Sequence, residues 1–209
     1  MLTILLSILI IITGFFNYRH EHRTIHRTQE QFLQSVANLK ANQISAWYAD
    51  EIRDAEIIAN DFFLLENIQK WQADPSSVNR QWLLRYLTTV RDLHDYKDLL
   101  LSSAEGRLLL ALDPEITQLD SSLIRNIRRA VAADSLIITD FYHCPVQQKI
   151  QMDIIRPLKI ANNMDIVLVF KLDPETFIFP LFRSWPVPSK SAETLIVRQE
   201  GDSVLIRAS

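Results

Sequence analysis

The stretch DLLLSSAEGRLLLALD, residues 98–113, decides the fold. Two apolar runs flank a polar turn that contains Glu105 and Gly106. Gly106 can adopt the positive φ that a tight turn requires, and the apolar runs are too short and too densely apolar for an amphipathic helix. We therefore predict a β-hairpin. A similar hairpin is predicted at TLIVRQEGDSVLIRA, residues 194–208, where Gly201 aligns with Gly106, so the chain should contain two similar modules.

The composition is that of an ordinary globular protein, and it argues against several functions. The 209 residues are 48% hydrophobic and 22% charged, and the net charge is −3. Because the chain has no net basic charge, we expect no nucleic-acid partner. The three glycines are too few for the glycine-rich loops that bind nucleotide phosphates. The single cysteine, Cys144, cannot form an internal disulfide.

The N-terminal residues 1–18 predict a membrane anchor. Residues 1–16 carry no charged side chain and consist mainly of Leu, Ile and Phe. A helix of sixteen residues rises about 24 Å, which is short of the about 30 Å of a hydrocarbon core, and the next two residues extend it toward the interface. A cleaved signal peptide is the alternative, but no basic region precedes the apolar run and no small-residue cleavage site follows it. Three arginines after the span favour a cytoplasmic flank, so charge alone leaves the orientation open.

A long helix should continue from the anchor. Residues 30–71 contain neither Pro nor Gly, and apolar residues recur at spacings of three and four from Leu33 to Phe62. Pro75 and the serines that follow it should end this rod. Its aromatic pair, Trp47 and Tyr48, could face a ligand, although packing on the apolar stripe is the commoner role.

The remaining sequence predicts an α+β fold. A second helix precedes the first hairpin, and a third begins near Ser121. Three apolar stretches then read as strands that complete a five-stranded antiparallel sheet. They are residues 136–142, 149–159 and 164–172, and a short helix and a proline-rich linker follow them.

This order of elements resembles the double Cache sensor region of bacterial transmembrane signalling proteins, in which a membrane helix runs into a long helix and a PAS-like antiparallel sheet. Two strings carry the resemblance. LKANQISAWYADEIRDAEIIA, residues 39–59, looks like the family's long helix. KLDPETFIFPLFRSWPVPSKSAETLIVRQEGDSVLI, residues 171–206, looks like the junction between its two sensor modules. The resemblance covers the chain from about Glu30 onward, and the second module stops after one hairpin, as in an N-terminal fragment.

The resemblance implies four parts. They are an anchor (1–18), a long signalling helix (19–74), a membrane-distal PAS-like module (75–185), and a linker with the first hairpin of a truncated membrane-proximal module (186–209). We expect the bacterial inner membrane, with residues after about 18 in the periplasm, and a homodimer formed through the long helix.

The implied function is the ligand-sensing portion of a PAS-containing, sometimes hybrid, sensor histidine kinase. The chain itself should not be an enzyme, since no nucleophile and base spacing is present and no catalytic residue is assigned. One alternative is the sensor of a diguanylate cyclase or a chemoreceptor. Another, from a different class, is a membrane-anchored helical interaction protein with no ligand.

Candidate ligand contacts follow from the PAS-like module, where the pocket lies between the sheet and its crossing helices. The candidates are the polar residues at strand ends: Asp140, Tyr142, His143, Asp153 and Arg156. Arg156 is the strongest, because a guanidinium on an apolar strand can hold a carboxylate through two hydrogen bonds. The alternative role for Arg156 is an ion pair with Asp153 or Asp140.

The class of ligand is less sharply indicated. His143 beside Cys144 lacks further ligands at a metal-binding spacing, so neither a metal nor another cofactor is expected. Family members that bind amino acids carry an arginine-aromatic run on the strands around the pocket, and FYHC at residues 141–144 does not match it. We therefore expect an unidentified small molecule, with a carboxylate as one candidate.

Overall fold

The described residues form five α-helices and eight β-strands in an α+β arrangement. The computed structural model describes residues 2–75, 77–144, 149–160, 163–176, 178–185, 196–200 and 203–207. The helices are α1 (Leu2–Ala59), α2 (Phe62–Ala73), α3 (Ser77–Leu93), α4 (Ser121–Ala133) and α5 (Ile178–Arg183). The strands are β1 (Asp98–Ser103), β2 (Leu108–Ala111), β3 (Ile137–Ile138), β4 (Tyr142–Cys144), β5 (Lys149–Ile160), β6 (Asn163–Leu172), β7 (Ile196–Glu200) and β8 (Ser203–Arg207).

The chain divides into two compact units. One contains residues 1–46 and 185–192, and the other contains residues 47–184 and 193–209. The first consists largely of the N-terminal part of α1. The second contains the larger sheet, the last turns of α1 and helices α2 to α5.

The N-terminal segment and the long helix are one continuous α1, as predicted, but the rod ends earlier than the sequence pattern indicates. The predicted rod ran to Trp71, whereas the helix breaks after Ala59. The cause is Asp61, whose carboxylate accepts the backbone N–H groups of Phe63 and Leu64 at 2.7 and 3.1 Å and so starts α2. Within the described part of the chain, no helix is both long enough and apolar enough to cross a membrane. The side chains of residues 1–11, within the predicted anchor, lie outside the described residues.

The larger sheet is antiparallel, as predicted, but it has six strands rather than the predicted five. Its order is β2-β1-β6-β5-β3, and β4 pairs with β5 beyond β3. The predicted strand over residues 136–142 is therefore two short strands along one edge of β5. Asp140 lies between them, and its carboxylate accepts the backbone N–H of Phe141 at 2.7 Å. Local side-chain bonds of this kind compete with the strand ladder, which explains the interruption.

The two faces of this sheet pack against different helices. The long-helix face is the one that packs against the last turns of α1, α2 and α3, and the α4 face is the one that packs against α4. The sheet's core residues on the long-helix face include Leu99, Leu101, Ile154, Leu168 and Phe170. Those on the α4 face are Leu100, Ile155, Val167 and Val169. Both faces are therefore apolar over most of their area.

The first hairpin confirms the prediction made from Gly106. This glycine has φ +89°, and a Cβ added to it would lie 2.7 Å from Cγ2 of Ile124 on α4. The guanidinium of Arg128 on α4 donates to the Glu105 carbonyl at 3.2 Å. The turn is thus fixed against α4. The second hairpin also forms, as the antiparallel pair β7 and β8, while Gly201 lies outside the described residues.

Candidate functional site

A row of buried charged residues crosses the α4 face near one end of the sheet. Lys171 on β6 lies directly opposite Asp98 on β1 and Asp153 on β5. Residues opposite each other in an antiparallel pair share a face, so the three side chains point to the same side. Asp98 is 1% exposed, Lys171 4% and Asp153 0%. Charged residues are almost never this buried without a specific partner.

Four of the polar side chains in this region satisfy one another. The Tyr142 hydroxyl donates to Oδ2 of Asp153 at 2.6 Å. Nζ of Lys171 lies 3.2 Å from the Tyr142 oxygen, 3.3 Å from Oε1 of Gln151 and 3.4 Å from Oδ1 of Asp153. The backbone of Asp153 is held as well, since its N–H donates to Oγ1 of Thr139 at 2.8 Å. We call Tyr142, Gln151, Asp153 and Lys171 the polar cluster.

Burial dominates the electrostatics of these acids. It raises the pKa of Asp153, and the nearby Lys171 ammonium and Tyr142 hydroxyl oppose that shift. Burial also raises the pKa of Tyr142, followed by the negative charge of Asp153. Asp98 has its pKa raised to about 6 by burial. One oxygen of Asp98 accepts the Asp113 N–H at 3.3 Å, and the other has no hydrogen-bond partner among the described residues.

A small cavity adjoins the polar cluster beneath the start of α4. It measures about 20 Å³, and its lining includes Asp120, Leu123, Cys144 and Lys171. Asp120 is the N-cap of α4, with its carboxylate accepting backbone N–H groups at 2.8 and 2.9 Å. A cavity of this size holds about one water molecule. The site is therefore closed in this structure.

The structure brings together two of the five predicted site residues, Tyr142 and Asp153. Asp140 is exposed, and its carboxylate accepts the Phe141 N–H. His143 is exposed, and the alternation along β4 directs it away from the side that Tyr142 faces. Cys144 is buried with a free thiol, so it does not share the exposure of His143. Among the described residues, no group of three or more His, Cys, Asp and Glu could hold a metal ion.

Arg156 lies on the opposite face of the sheet from the polar cluster. Its Nε is 3.1 Å from Oε2 of Glu56 on α1, so the expected alternative pairing with Asp153 or Asp140 is wrong. The physical reason is the strand period: Arg156 and Asp153 are an odd number of residues apart on β5, so they face opposite sides. The second guanidinium nitrogen of Arg156, Nη1, is buried and has no hydrogen-bond partner in the described part of the chain.

Sequence reasoning missed Lys171, Gln151 and Asp98. Lys171 carried a signal, since it is the one basic residue in the run MDIVLVFKL, residues 164–172, which was predicted to be buried on both faces. A lysine in such a strand needs buried partners. Gln151 was harder to identify, because apolar and polar residues alternate only in part along its predicted strand, residues 149–159.

The comparisons place the fold among bacterial sensor domains. No family model matches the sequence, and no curated protein is similar to it in sequence. The sensor domain of the V. cholerae histidine kinase DctB is similar in structure, with a TM-score of 0.56 and 19% identity over 72% of this chain and 58% of that chain. The sensory domain of the Campylobacter jejuni chemoreceptor Tlp3 with isoleucine bound has a TM-score of 0.53 and 12% identity, over 72% and 62%. The ligand-binding domain of the Pseudomonas aeruginosa amino acid chemoreceptor PctC with GABA has a TM-score of 0.51 and 17% identity, over 74% and 66%.

These similarities confirm the predicted resemblance to Cache-type extracytoplasmic sensors at the level of the fold. The chain spans less than two thirds of the length of each of the three solved chains. All three are sensory or ligand-binding domains.

Proposed function

We propose that this chain is the extracytoplasmic ligand-sensing portion of a membrane signal transducer, and that a sensor histidine kinase is the favoured parent. The observation that carries the proposal is the buried polar cluster beside a closed cavity, within a fold shared with sensor domains. A chemoreceptor parent is the second candidate, because two of the similar structures are chemoreceptor domains.

The polar cluster is better explained by ligand binding than by stability. A buried ion pair is often no more stabilising than apolar side chains of the same volume. Here an ammonium, a hydroxyl and a carboxylate converge next to a cavity. Lys171 can hold a carboxylate of a small ligand, and Asp153 can hold an amine. The isoleucine and GABA in the similar chemoreceptor domains support a small polar ligand of this kind.

Ligand entry requires a more open state than the one described. A cavity of about 20 Å³ is far below the several hundred Å³ of ordinary ligand sites. The segment that includes Ile116, Leu119 and Asp120 forms its outer wall together with the start of α4. We expect this wall to separate from the sheet, and the ligand to stabilise the open state by its preferential affinity for it.

The signal would then pass to α1 through the other face of the sheet. Arg156 links β5 to Glu56 on α1, so a change in the packing of the sheet would alter this contact with the long helix. The predicted anchor, residues 1–18, would carry the shift across the membrane. A homodimer through α1 is supported by exposed apolar side chains in its N-terminal unit, at Phe32, Leu33 and Leu39, which favour a partner surface.

A thermal-shift screen of the full chain in detergent micelles tests the proposed function. Organic acids, amino acids and amines are screened as separate classes, and we expect one class to raise the melting temperature. Replacing Lys171 by Met should abolish binding of that ligand, measured calorimetrically below the variant's melting temperature. The matched control is Lys159→Met, because Lys159 forms an exposed ion pair with Asp134 at the sheet's far end. Stabilisation by no class, or binding that survives in Lys171→Met, would contradict the proposed site.

The oligomeric state is tested separately by light scattering of the same sample with the detergent contribution subtracted. We expect a dimer that is weakened when Leu33 and Leu39 are both replaced by Glu. A monomer at every protein concentration would contradict the dimer while leaving the ligand site to be judged by the screen.

A further inference from the structure

A second cleft lies on the long-helix face of the sheet, away from the polar cluster. It measures about 670 Å³, within the range of small-molecule sites. The end of α1 contributes Trp47 and Glu51, the turn between α3 and β1 contributes His94 and Tyr96, and the end of β6 contributes Asp173. All of these residues belong to the second unit.

The lining of this cleft is predominantly acidic. Its carboxylates are Glu51, Asp92, Asp95 and Asp173, and its basic side chains are Arg91 and Lys97. The charges of Arg91 and Asp92 neutralise each other, since Nη2 and Nε of Arg91 lie 2.7 and 2.8 Å from Oδ1 of Asp92, which leaves Glu51, Asp95 and Asp173 against Lys97. Behind the lining, Asp54 lies 3.1 Å from Nδ1 of His94. The cleft therefore offers more negative charge than its own cations balance.

One of the residues that line this cleft, Tyr96, has a buried hydroxyl. Tyr96 is 5% exposed, its ring stacks on His94 with 5.6 Å between centroids, and it meets Phe170 of the core edge-on at 5.2 Å. Its hydroxyl is near the Glu51 carboxylate, yet no group among the described residues makes a hydrogen bond of good geometry to it. An unsatisfied buried hydroxyl costs about 1–3 kcal/mol. A ligand with a hydrogen-bond donor would remove this cost.

We propose that this cleft binds a small organic cation, a primary amine of a few carbons, whose ammonium donates to the Glu51 carboxylate and the Tyr96 hydroxyl oxygen. The Trp47 ring forms an aromatic wall of the kind that favours cations over neutral molecules. An anion is disfavoured by the excess of carboxylates. The chemistry differs from that of the polar cluster, where Lys171 supplies a buried positive charge.

The position of the cleft gives the amine a direct effect on the long helix. Glu51 and Trp47 are residues of α1, whereas Tyr96 and Asp173 are fixed to the sheet. An ammonium between them would hold the sheet to α1. The amine would therefore act on α1 without involving the cavity beneath α4, and the two sites can be tested independently.

Butylamine, butyrate and 1-butanol are suitable probes, because they share a carbon chain and differ in charge. Binding to the full chain in detergent micelles is measured by calorimetry and by the indole N–H resonances in ¹H–¹⁵N spectra. We expect butylamine alone to bind and to move the Trp47 indole resonance, assigned with a Trp47→Phe variant. The resonance of Trp82, an exposed residue on α3, should stay in place.

Two conservative substitutions locate the ammonium. Glu51→Gln and Tyr96→Phe should each weaken butylamine about tenfold or more, as expected for losing a hydrogen bond to a charged group. Two controls should bind it normally: Glu66→Gln, which breaks the exposed pair with Lys70, and Lys159→Met, which breaks the exposed pair with Asp134. The proposal is overturned if butyrate and 1-butanol bind as well as butylamine, if butylamine fails to bind, or if both substitutions leave its affinity unchanged.

Discussion

The two faces of the larger sheet each contain one largely buried cation, and the two cations have different surroundings. On the α4 face, Lys171 lies within 3.4 Å of three polar partners, which belong to neighbouring strands of the same sheet. On the long-helix face, the ion-pair partner of Arg156 is Glu56, which belongs to α1. The first arrangement is complete within the sheet. The second depends on where α1 lies.

The strand register accounts for this difference. Lys171 is opposite Asp153, so the pair is held by the backbone ladder of β5 and β6. Arg156 is opposite Leu168, which offers no charge, so its guanidinium reaches out of the sheet. A preorganised cluster suits ligand recognition, whereas a contact between a sheet and a helix suits coupling between them. Under the proposed function, recognition would therefore belong to the α4 face and transmission to the long-helix face.

Removing Lys171 should produce the largest effect on stability. Lys171→Met leaves the buried Asp153 carboxylate with the Tyr142 hydroxyl as its remaining hydrogen-bond donor among the described side chains, and we expect the free energy of unfolding to fall by about 3 kcal/mol. Lys159→Met is the matched control, since its ion pair is exposed and is worth at most about 1 kcal/mol. Urea unfolding followed by circular dichroism compares the two variants. Equal losses of stability in the two variants would mean that the buried contacts of Lys171 stabilise the fold no more than an exposed ion pair does.

Replacing Gly106 should have the next largest effect and should act on the α4 face alone. Gly106→Ala combines an unfavourable positive φ with a Cβ 2.7 Å from Ile124, at a cost of about 2 kcal/mol. Hydrogen exchange should accelerate in α4 and leave α3 unchanged. Gly14→Ala is the control, because a Cβ there meets nothing within 4 Å. Equal acceleration in α3 would contradict the separation of the two faces.

Much of the fold could be predicted because its signals are local. Gly106 with flanking leucines indicated the hairpin, and the helix that was predicted to begin near Ser121 is α4, which is capped by Asp120. The break before Phe62 was missed because the apolar period continues through it, and only the capping bonds of Asp61 interrupt the helix. The site was harder to predict, since Lys171 and Tyr142 meet through strand pairing that sequence spacing does not reveal. That Arg156 and Asp153 face opposite sides of the sheet could have been predicted, because they are an odd number of residues apart on β5.

The acidic cleft on the long-helix face should make stability depend on pH. Burial, followed by the negative charge of Asp54, raises the pKa of Glu51 from its ordinary value of 4.5 to about 7. Between these values the unfolded chain ionises Glu51 while the folded chain keeps it protonated, so the free energy of unfolding falls as pH rises from 4.5 to 7 and stays level above.

Glu51→Gln removes this dependence. Above pH 7, the free energy of unfolding of the variant should exceed that of the natural chain by about 1 kcal/mol, an amount reduced for the partial exposure of the carboxylate. Near pH 4.5, the two proteins should be equally stable. The groups that face Glu51, which are Asp50, Asp54, His94 and Tyr96, remain in both proteins, so the difference between the two pH curves isolates Glu51. A difference that does not vary with pH would contradict the raised pKa.

Arg156 should give the smallest change in stability and the sharpest test of the comparison. Its side chain is 15% exposed, its partner Glu56 is 38% exposed, and Nη1 is buried without a hydrogen bond in the described residues. Arg156→Met loses a weak ion pair, removes the unsatisfied nitrogen and keeps the apolar stem, so we expect the free energy of unfolding to change by no more than about 0.5 kcal/mol.

Ligand binding at the polar cluster should be unaffected by Arg156→Met, because Arg156 faces the other side of the sheet. What should change is the response of α1: ligand-induced protection from hydrogen exchange around Glu56 should be lost in Arg156→Met and kept in Lys159→Met. If Arg156→Met instead abolishes binding of a carboxylate ligand, Arg156 is a ligand contact as the sequence suggested, and recognition is not confined to the α4 face.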